Sequence, residues 1–309
     1  MVEHAPALIA LDWGSSSFRA YLMSREGDVL DEIESADGVS TIAPHAFPAT
    51  LERLAGGWFL AYPGLPIIAS GMIGSRHGWR EAPYVRCPAE PRDIAANLTP
   101  VGTDEREVHL APGLAYEDES GQPDVMRGEE VQILGIASAG ARLVVLPGSH
   151  SKWASVDRGR ILSFKTFVTG ELFAAVKDHT LAGAFARVAR SKPPGAAFQR
   201  GAADGAAATL GEKNAGLLGS LFGARSLPLM GKLAEDDAGD YLSGLLIGAE
   251  IAEARRLFAD GTPHVAGAEA LVHRYLAAFD ALGLTALAVP PRAAARGLHL
   301  LARAAGLIR

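Results

Sequence analysis

The chain has 309 residues, of which 49% are hydrophobic and 21% charged, and this balance predicts a globular protein with one large domain or two smaller ones. A formal net charge of −6 excludes a general nucleic-acid-binding protein, which needs a basic surface. Because Cys87 is the only cysteine and no apolar run approaches the roughly 18 residues of a membrane span, we expect no disulfide, no cysteine zinc site, no membrane segment and a cytoplasmic location.

The first half predicts three strands and then a helix. A continuous apolar run indicates a buried strand at residues 8–11, and a Gly27-Asp28 turn joins two further strands. The predicted elements are strands at 8–11, 18–23 and 29–34, a helix at 48–58, a strand at 66–69, a glycine-punctuated loop at 70–79 and a helix at 128–139.

The second half repeats this order, which indicates a duplicated α/β unit. Its predicted elements are strands at 143–146, 152–156 and 160–167, helices at 171–182 and 240–258, and a tail of strand 264–266, helix 269–282, strand 284–289 and helix 292–307. Residues 191–240 are rich in Gly, Ala and Pro and receive no assignment.

Each half also carries a strand that ends in a glycine-serine loop, and the two copies lie about 135 residues apart. Backbone N–H groups in such a turn suit an anion. Two such loops facing each other would hold a polyphosphate, which is the geometry of an ATP-dependent kinase with a cleft. The predicted phosphate contacts are Gly14, Ser15, Ser16, Ser17 and Arg19 in the first copy and Gly148, Ser149, His150, Ser151 and Lys152 in the second.

Plainer interpretations of these loops stay open. A glycine in a turn is often there only for its positive φ. Lys152 is equally well read as a solvated lysine at a strand start, and His150 as a hydrogen-bonded loop histidine.

Seven motifs in this order resemble the 2-dehydro-3-deoxygalactonokinase family, in the sugar-kinase branch of the actin-like ATPase superfamily. They are ALDWGSS (10–16), GMIGS (71–75), GWREAPY (78–84), VMRGEE (125–130), LPGSHSKW (146–153), TGEL (169–172) and LSGLLIGAE (242–250). The resemblance implies an α/β fold of two domains with duplicated ribonuclease H-like cores around an ATP cleft. The first domain would comprise 1–138 with the helix 292–309, and the second 139–291.

The resemblance further implies the reaction. ATP, with Mg²⁺, would donate its γ-phosphoryl group to the terminal hydroxyl of 2-dehydro-3-deoxy-D-galactonate, giving the 6-phosphate in galactonate breakdown. Asp12 would lie near the Mg²⁺, through water, because Mg²⁺ dehydrates reluctantly. The alternative is a hairpin aspartate that bonds its own turn.

The base that would activate the hydroxyl is left open among three acids. Many relatives in the wider superfamily place an aspartate in or near the second loop, and this chain has none there. The candidates are Glu129, Glu171 and Asp12. Glu129 and Glu171 both open predicted helices, where an acid also suits the helix dipole.

A basic side chain should meet the carboxylate of the sugar acid, and Arg76 and Arg127 both lie in glycine-flanked loops. Surface arginine is the alternative for each. The same loops predict Gly74, Ser75 and Trp79 as substrate contacts, although Trp79 and Tyr84 also suit a core. Gly267 and Ala268, between a strand and a helix, resemble the superfamily's adenosine-binding motif, or form a plain turn.

Other enzyme classes lack their motifs in this chain. There is no G-x-x-x-x-G-K-[ST] loop of a P-loop kinase and no G-x-S-x-G elbow of a serine hydrolase. The remaining rivals are a kinase for a different sugar or sugar acid and a non-catalytic sugar-acid sensor on the same fold. The expected partner is a small molecule, and we expect binding to neither nucleic acid nor a membrane. A homodimer is compatible with the sequence, although no sequence feature specifies the oligomeric state.

Overall fold

The computed structural model describes residues 5–103, 106–186, 193–212 and 215–309. Two compact units form. The first unit comprises Met1–Gly140, Val156–Phe164 and Arg292–Arg309, and the second unit comprises Ala141–Ser155 and Lys165–Pro291. Across the described residues, no helix combines the length and the apolar character that crossing a membrane would require.

The chain contains both runs of strands and runs of helices. The strands are β1 (Pro6–Trp13), β2 (Phe18–Ser24), β3 (Val29–Ser35), β4 (Ile67–Ser70), β5 (Tyr84–Arg86), β6 (Thr99–Thr103), β7 (Arg106–Leu110), β8 (Gly113–Glu117), β9 (Pro123–Met126), β10 (Leu143–Leu146), β11 (Ser151–Asp157), β12 (Arg160–Phe167), β13 (Pro263–Val265) and β14 (Leu287–Ala288). The α-helices are α1 (Phe47–Ala61), α2 (Pro91–Ala95), α3 (Glu129–Ala137), α4 (Thr169–His179), α5 (Ala196–Thr209), α6 (Leu217–Leu221), α7 (Gly223–Leu229), α8 (Ala238–Leu257), α9 (Glu269–Ala281) and α10 (Ala293–Ala304).

The main sheet of the first unit has the order β3-β2-β1-β4-β7-β6, and a smaller sheet has the order β5-β8-β9. Strand β1 pairs antiparallel with β2 and parallel with β4. Alternate residues of β1 (Ile9, Leu11 and Trp13) pack with residues of α1 in one core cluster, while α10 also contacts β1. Burial by helices explains why the strand reads as a continuous apolar run.

A five-stranded sheet, whose strands β10, β13 and β14 lie in the second unit, has the order β12-β11-β10-β13-β14, with β10 antiparallel to β11 and parallel to β13. This order matches β3-β2-β1-β4-β7 of the first unit. The α/β duplication that the sequence predicts is therefore confirmed in the topology of the two sheets.

The unassigned segment 191–240 contains α5, whose small residues allow a close helix contact. A Cβ on Gly201 or Gly205 would come within 2.2 Å or 1.9 Å of a backbone oxygen of α8, and Gly244 and Gly248 of α8 approach α5 equally closely. Helix separation depends on the side chains at the contact. The Gly- and Ala-rich composition therefore allows α5 to pack closely against α8. The segment has no apolar periodicity from which this helix could be predicted.

Several other elements differ from their predicted bounds. Helix α4 ends at His179, three residues before the predicted end, and β14 covers only Leu287–Ala288. Between residues 84 and 126, for which no element is predicted, the chain forms β5 to β9 and α2. Strand β5 alternates between exposed and half-buried residues, so it lacks the apolar pattern of a core strand.

We predict that Gly244→Ala lowers the free energy of unfolding by about 1–3 kcal/mol, because the new Cβ would meet the backbone oxygen of Phe198 at 2.1 Å. Gly57→Ala is the matched control, since Gly57 lies in the interior of α1 with no atom within 4 Å of the new Cβ. The control should gain about 1 kcal/mol from helix propensity alone. Urea unfolding of both variants checks this, and equal effects would contradict it.

Candidate active site

The first glycine-serine loop, residues 14–17 (loop 1), is a tight turn that is braced by a neighbouring segment. The Gly14 N–H donates to the Ser17 carbonyl at 2.9 Å, and the Ser15 carbonyl accepts both the N–H of Ser40 at 3.0 Å and its hydroxyl at 2.7 Å. Ser15 and Ser16 are exposed. The loop therefore has a fixed shape and presents its serines to solvent.

Asp12 is the penultimate residue of β1, separated from loop 1 by Trp13, and is half-buried. Burial raises the pKa of Asp12 to about 6; Arg19 opposes this shift, and the nearby Glu129 carboxylate adds to it. Arg19 pairs with Asp12 in the β1–β2 register and binds Glu34 at 2.8 Å. The structure thus brings two of the predicted acids, Asp12 and Glu129, within electrostatic reach of each other.

The turn that precedes α3 places Glu129 and Arg127. The carboxylate of Glu129 accepts the Arg127 N–H at 3.0 Å, and that of Glu130 accepts the Gly128 N–H at 2.7 Å. Both glutamates therefore fold back and hold the backbone of the turn in place.

Two glycines allow this turn to approach the end of β4. Gly128 has φ +104°, and Gly71 has φ +98° with ψ −160°, a region that is essentially limited to glycine. A Cβ on Gly128 would lie 3.0 Å from Cα of Gly71, and a Cβ on Gly71 would lie 2.6 Å from the Trp13 carbonyl. The ends of β1 and β4 and the start of α3 therefore meet at one point.

Arg127 is buried beside this point, and two contacts hold its side chain. It donates to the Ala82 carbonyl at 2.8 Å, and its guanidinium carbon lies 4.4 Å from the centre of the Tyr84 ring. A Cβ on Gly74 would come within 3.2 Å of Nη1, so the glycine leaves room for the guanidinium. Tyr84, which the sequence offered as a pocket wall, packs on Arg127.

Four buried polar atoms of this region have no hydrogen-bond partner, and among the described residues no other buried side-chain atoms share that property. They are Ser70 Oγ, Arg127 Nε, Arg127 Nη1 and Glu130 Oε1. Burial raises the pKa of Glu130 to about 8; Glu129 adds to the shift and Arg127 opposes it. Glu130 is therefore protonated at neutral pH, and unsatisfied buried groups of this kind call for an explanation.

The other predicted substrate contacts of the first unit lie in different surroundings. Arg76 is 81% exposed and approaches Glu81 at 3.8 Å. Trp79 stacks on Phe47 with ring centres 6.4 Å apart and packs against the core. Ser75 is buried, and its hydroxyl accepts the His77 N–H at 3.3 Å. The plainer interpretations thus fit Arg76 and Trp79 well.

In the second unit, two glycines pack against the second glycine-serine loop, residues 147–151 (loop 2). A Cβ on Gly170, at the start of α4, would lie 2.3 Å from the Gly148 carbonyl, and the Glu171 N–H donates to the Ser149 carbonyl at 3.0 Å. Gly267 has φ +144°, and its Cβ would lie 3.4 Å from the Pro147 carbonyl. The predicted adenosine turn, Gly267 with Ala268, therefore adjoins the predicted phosphate loop.

The side chains of loop 2 and its flank point in different directions. His150 is exposed and pairs with Glu171, likewise exposed, at 2.8 Å. Lys152 is only 5% exposed, so its interpretation as a solvated lysine is wrong. Ser151 is fully buried, and its hydroxyl lies 2.7 Å from the Tyr275 hydroxyl.

The Ser151–Tyr275 pair belongs to a buried network centred on Glu250, a residue for which no role is predicted from the sequence. The Glu250 carboxylate accepts the Trp153 indole N–H at 2.7 Å and the Tyr275 hydroxyl at 2.6 Å. Burial raises the pKa of Glu250, and hydrogen bonds from Thr169, Tyr275, Trp153 and Ser151 oppose that rise. A lone acid at the end of the apolar motif LSGLLIGAE is its only signal in the sequence.

A cavity of about 220 Å³ opens beside loop 2. Its lining includes Gly148, Thr169, Phe173, Ser243, Leu271 and Arg274, with Arg274 donating to Asp240 at 2.7 Å. Apolar and hydrogen-bonding groups therefore converge on one concave surface, as in small-molecule sites.

Within residues 5–103, 106–186, 193–212 and 215–309, no three His, Cys, Asp or Glu side chains are arranged to hold a metal ion by themselves. A cation at Asp12 would therefore need further ligands from water or from a bound phosphate, as Mg²⁺ commonly has.

Comparison with known proteins identifies close relatives over almost the whole chain. A family model described as 2-keto-3-deoxy-galactonokinase matches residues 12–301. A probable 2-dehydro-3-deoxygalactonokinase of Rhizobium meliloti (strain 1021) is 40% identical, with 96% of each chain covered. The 2-dehydro-3-deoxygalactonokinase of Escherichia coli (strain K12) is 37% identical, covering 91% of this chain and 92% of its own.

Solved structures agree on the fold. A crystal structure from Sinorhizobium meliloti, provisionally named a 2-dehydro-3-deoxygalactonokinase, superposes with a TM-score of 0.86 at 38% identity and covers 96% of this chain and 98% of its own. Component A of the Acidaminococcus fermentans (R)-2-hydroxyglutaryl-CoA dehydratase has a TM-score of 0.52 at 13% identity, covering 97% and 100%, and supports the fold alone. The α/β fold of the actin-like ATPases, expected from the motifs, is confirmed.

We predict that Glu130→Gln is more stable relative to wild type at pH 8 than at pH 5, by about 1–3 kcal/mol. Between the ordinary pKa of 4.5 and the raised pKa of about 8, the folded wild type keeps a proton that the unfolded chain has lost. Wild-type stability therefore falls as pH rises through this window, and the amide removes that loss. Urea unfolding at both pH values measures it, with Glu253→Gln, an exposed helical glutamate, as the control; equal pH dependence in wild type and Glu130→Gln would contradict it.

Proposed function

The chain belongs to the 2-keto-3-deoxy-galactonokinase family, and from this membership we propose that it transfers the γ-phosphoryl group of ATP to the terminal hydroxyl of 2-dehydro-3-deoxy-D-galactonate. One observation of the structure carries the proposal furthest. A buried cation, Arg127, and two neighbouring carboxyl groups, Asp12 and Glu129, converge where β1, β4 and α3 meet. A sugar acid needs a cation that meets its carboxylate. Phosphoryl transfer needs acidic groups that hold Mg²⁺ and accept the proton of the hydroxyl.

Arg127 is the proposed anchor for the carboxylate of the sugar acid. Its side chain is held by Ala82 and Tyr84, and two of its nitrogens keep N–H groups without a hydrogen-bond partner among the described residues. A buried guanidinium gains most from a ligand that brings the opposite charge, because an unpaired charge away from water is costly. Arg76, exposed to solvent, lacks this advantage.

Glu129 is the proposed group that orients and deprotonates the attacking hydroxyl. It is partly buried next to Asp12 and is fixed by its hydrogen bond to the Arg127 N–H. The hydroxyl oxygen would form a bond to the γ-phosphorus while the bond to the β-γ bridging oxygen breaks, with ADP leaving and the hydroxyl proton passing to Glu129. Glu171 is a weaker candidate because it is exposed and paired with His150.

The second unit is the proposed nucleotide-binding unit. Its cavity adjoins loop 2, and Gly267 lies against Pro147 of that loop. A flat base with ribose hydroxyls suits a concave surface lined by Phe173 and Leu271 on one hand and by Ser243 on the other. The backbone N–H groups of Ser15, Ser16 and Ser17 and those of loop 2 stay predicted contacts of the phosphates, whereas the Gly14 N–H already donates to the Ser17 carbonyl.

Asp12 is the proposed residue for Mg²⁺, through water. Its raised pKa reflects an anion that burial and the neighbouring Glu129 make unfavourable, and a cation would offset both effects. Bound there, Mg²⁺ would neutralise charge on the phosphates during transfer.

The proposed reaction is tested by a coupled ADP-release assay with Mg-ATP. The acceptors are 2-dehydro-3-deoxygalactonate, its gluconate epimer, simple hexoses and a control without sugar. Turnover confined to the galactonate derivative supports the proposal. Preference for another acceptor keeps a kinase and replaces the substrate, whereas ATP binding with no turnover on any acceptor favours a sugar-acid sensor.

We expect Asp12→Asn to lower kcat at least about 100-fold while the protein stays folded, because the amide cannot supply the charge that holds the cation. The coupled assay measures kcat, and thermal unfolding verifies the fold. Asp280→Asn, a change at an exposed aspartate of α9, is the control and should leave kcat unchanged. Near-normal turnover of Asp12→Asn would remove Asp12 from the metal site.

We expect two variants to divide the Michaelis constants between the two units. Arg127→Ala should raise the KM for the sugar acid about 10- to 100-fold and leave the KM for ATP unchanged, since it deletes a charge-assisted hydrogen bond. Ser243→Phe, which fills the cavity of the second unit, should raise the KM for ATP and leave that for the sugar acid unchanged. A sugar-acid KM that Arg127→Ala does not alter would exclude Arg127 from the acid site.

A further inference from the structure

The four unpartnered buried atoms belong to residues that adjoin the contact between Gly71 and Gly128. Ser70 directly precedes Gly71, and Arg127 and Glu130 lie on either side of Gly128 in the chain. A Cβ on Gly128 would lie 3.0 Å from Cα of Gly71. Ser70 is 1% exposed, Glu130 is fully buried and Arg127 is 9% exposed. Among the described residues, the three that carry orphaned side-chain atoms thus adjoin one backbone contact, and one of them is the proposed acid anchor, Arg127.

These atoms share one chemical property, because each carries or can carry a hydrogen to donate. Arg127 Nε and Nη1 are donors in every protonation state reached in proteins, and the Ser70 hydroxyl donates one hydrogen. Glu130 already accepts the Gly128 N–H with Oε2, so Oε1 is left to hold the proton of the neutral acid. The group offers N–H and O–H donors together with a positive charge.

The carboxylate and the ketone of a 2-keto acid present the complementary pattern, with three acceptor oxygens and no donor. We propose that Ser70, Arg127 and Glu130 together bind this end of the sugar acid, with Ser70 and Glu130 as neutral donors that determine specificity for a 2-keto acid. The inference rests on the proposed function for the identity of the ligand, and it adds two residues to the acid site.

A neutral Glu130 is what such a ligand requires. An ionised carboxylate beside the ligand's own carboxylate would repel it, whereas the protonated acid donates to it. The charged groups that act on Glu130 are Glu129, which favours the protonated form, and Arg127, which opposes it. Burial dominates both and raises the pKa of Glu130 to about 8, so the donor persists at neutral pH.

The test measures binding of 2-dehydro-3-deoxygalactonate by calorimetry without nucleotide, for the full chain at pH 7 and pH 9. Ser70→Ala and Glu130→Met delete a donor each and should weaken binding about 10-fold or more at pH 7. Glu130→Gln keeps an N–H donor at the same position and should bind within about 3-fold of wild type. Ser138→Ala, at the far end of α3, is the control and should match wild type.

The pH comparison separates a neutral donor from an ionised group. At pH 9 wild-type Glu130 is mostly ionised, so wild-type binding should weaken at least about 5-fold relative to pH 7, whereas Glu130→Gln should keep its affinity. A loss in Glu130→Gln equal to that in Glu130→Met at pH 7 would overturn the donor role. Wild-type affinity in both Ser70→Ala and Glu130→Met would show that these atoms bind only water.

The binding readout also separates this inference from the proposed reaction. Wild type that binds the acid with the expected variant pattern but shows no ADP release would overturn the kinase and keep the donor pocket. ADP release by wild type, together with wild-type affinity for the acid in the variants, would keep the kinase and overturn the donor pocket. Thermal unfolding of each variant verifies folding, and Ser70→Ala, which removes a single oxygen, covers the case in which Glu130→Met fails to fold.

Discussion

The close approach of Gly71 to Gly128 is the constraint on which the site of the first unit depends. Any side chain at Gly71 would meet the Trp13 carbonyl, and any side chain at Gly128 would meet Gly71 itself. Both residues also adopt positive φ values that L side chains avoid. Because neither glycine has a Cβ, the end of β4 and the start of α3 can touch. Residues that are far apart in the chain thereby become neighbours.

The Gly71–Gly128 contact also brings several ionisable side chains close together. Burial raises the pKa of Asp12 to about 6 and that of Glu130 to about 8, and the Glu129 carboxylate adds to both shifts, so Glu130 stays protonated. Arg127 offsets part of the negative charge, while Ala82 and Tyr84 keep it from turning away. The unbound site is therefore unfavourable electrostatically, and a cation together with an anionic ligand would relieve it.

The second unit reaches a fixed loop by different means. Glu250 collects donors from β11, α4 and α9, so the strand after loop 2 and the helices around the cavity share one buried anchor. Behind it, glycines of α5 and α8 bring two helices into backbone contact. Rigid support of this kind keeps a loop in shape while its exposed face, with Ser149 and His150, remains open to a ligand.

The sequence by itself determined the features that local patterns encode. Apolar runs and turn residues specified β1, β10 and the strands that pair with them, since a buried strand must be apolar and a hairpin needs its glycine. The motifs pointed to Asp12, Arg127 and the two loops, whose roles stay predictions. Only the tertiary structure decided the rest. Burial, and not residue type, makes Glu130 a neutral acid, and Ser70 Oγ is buried without a hydrogen-bond partner in the part of the chain that the structure describes. Trp153 and Glu250 meet across 97 positions of chain, and α5 packs through glycines that carry no periodic signal. These properties depend on partners that are remote in sequence, so no local pattern contains them.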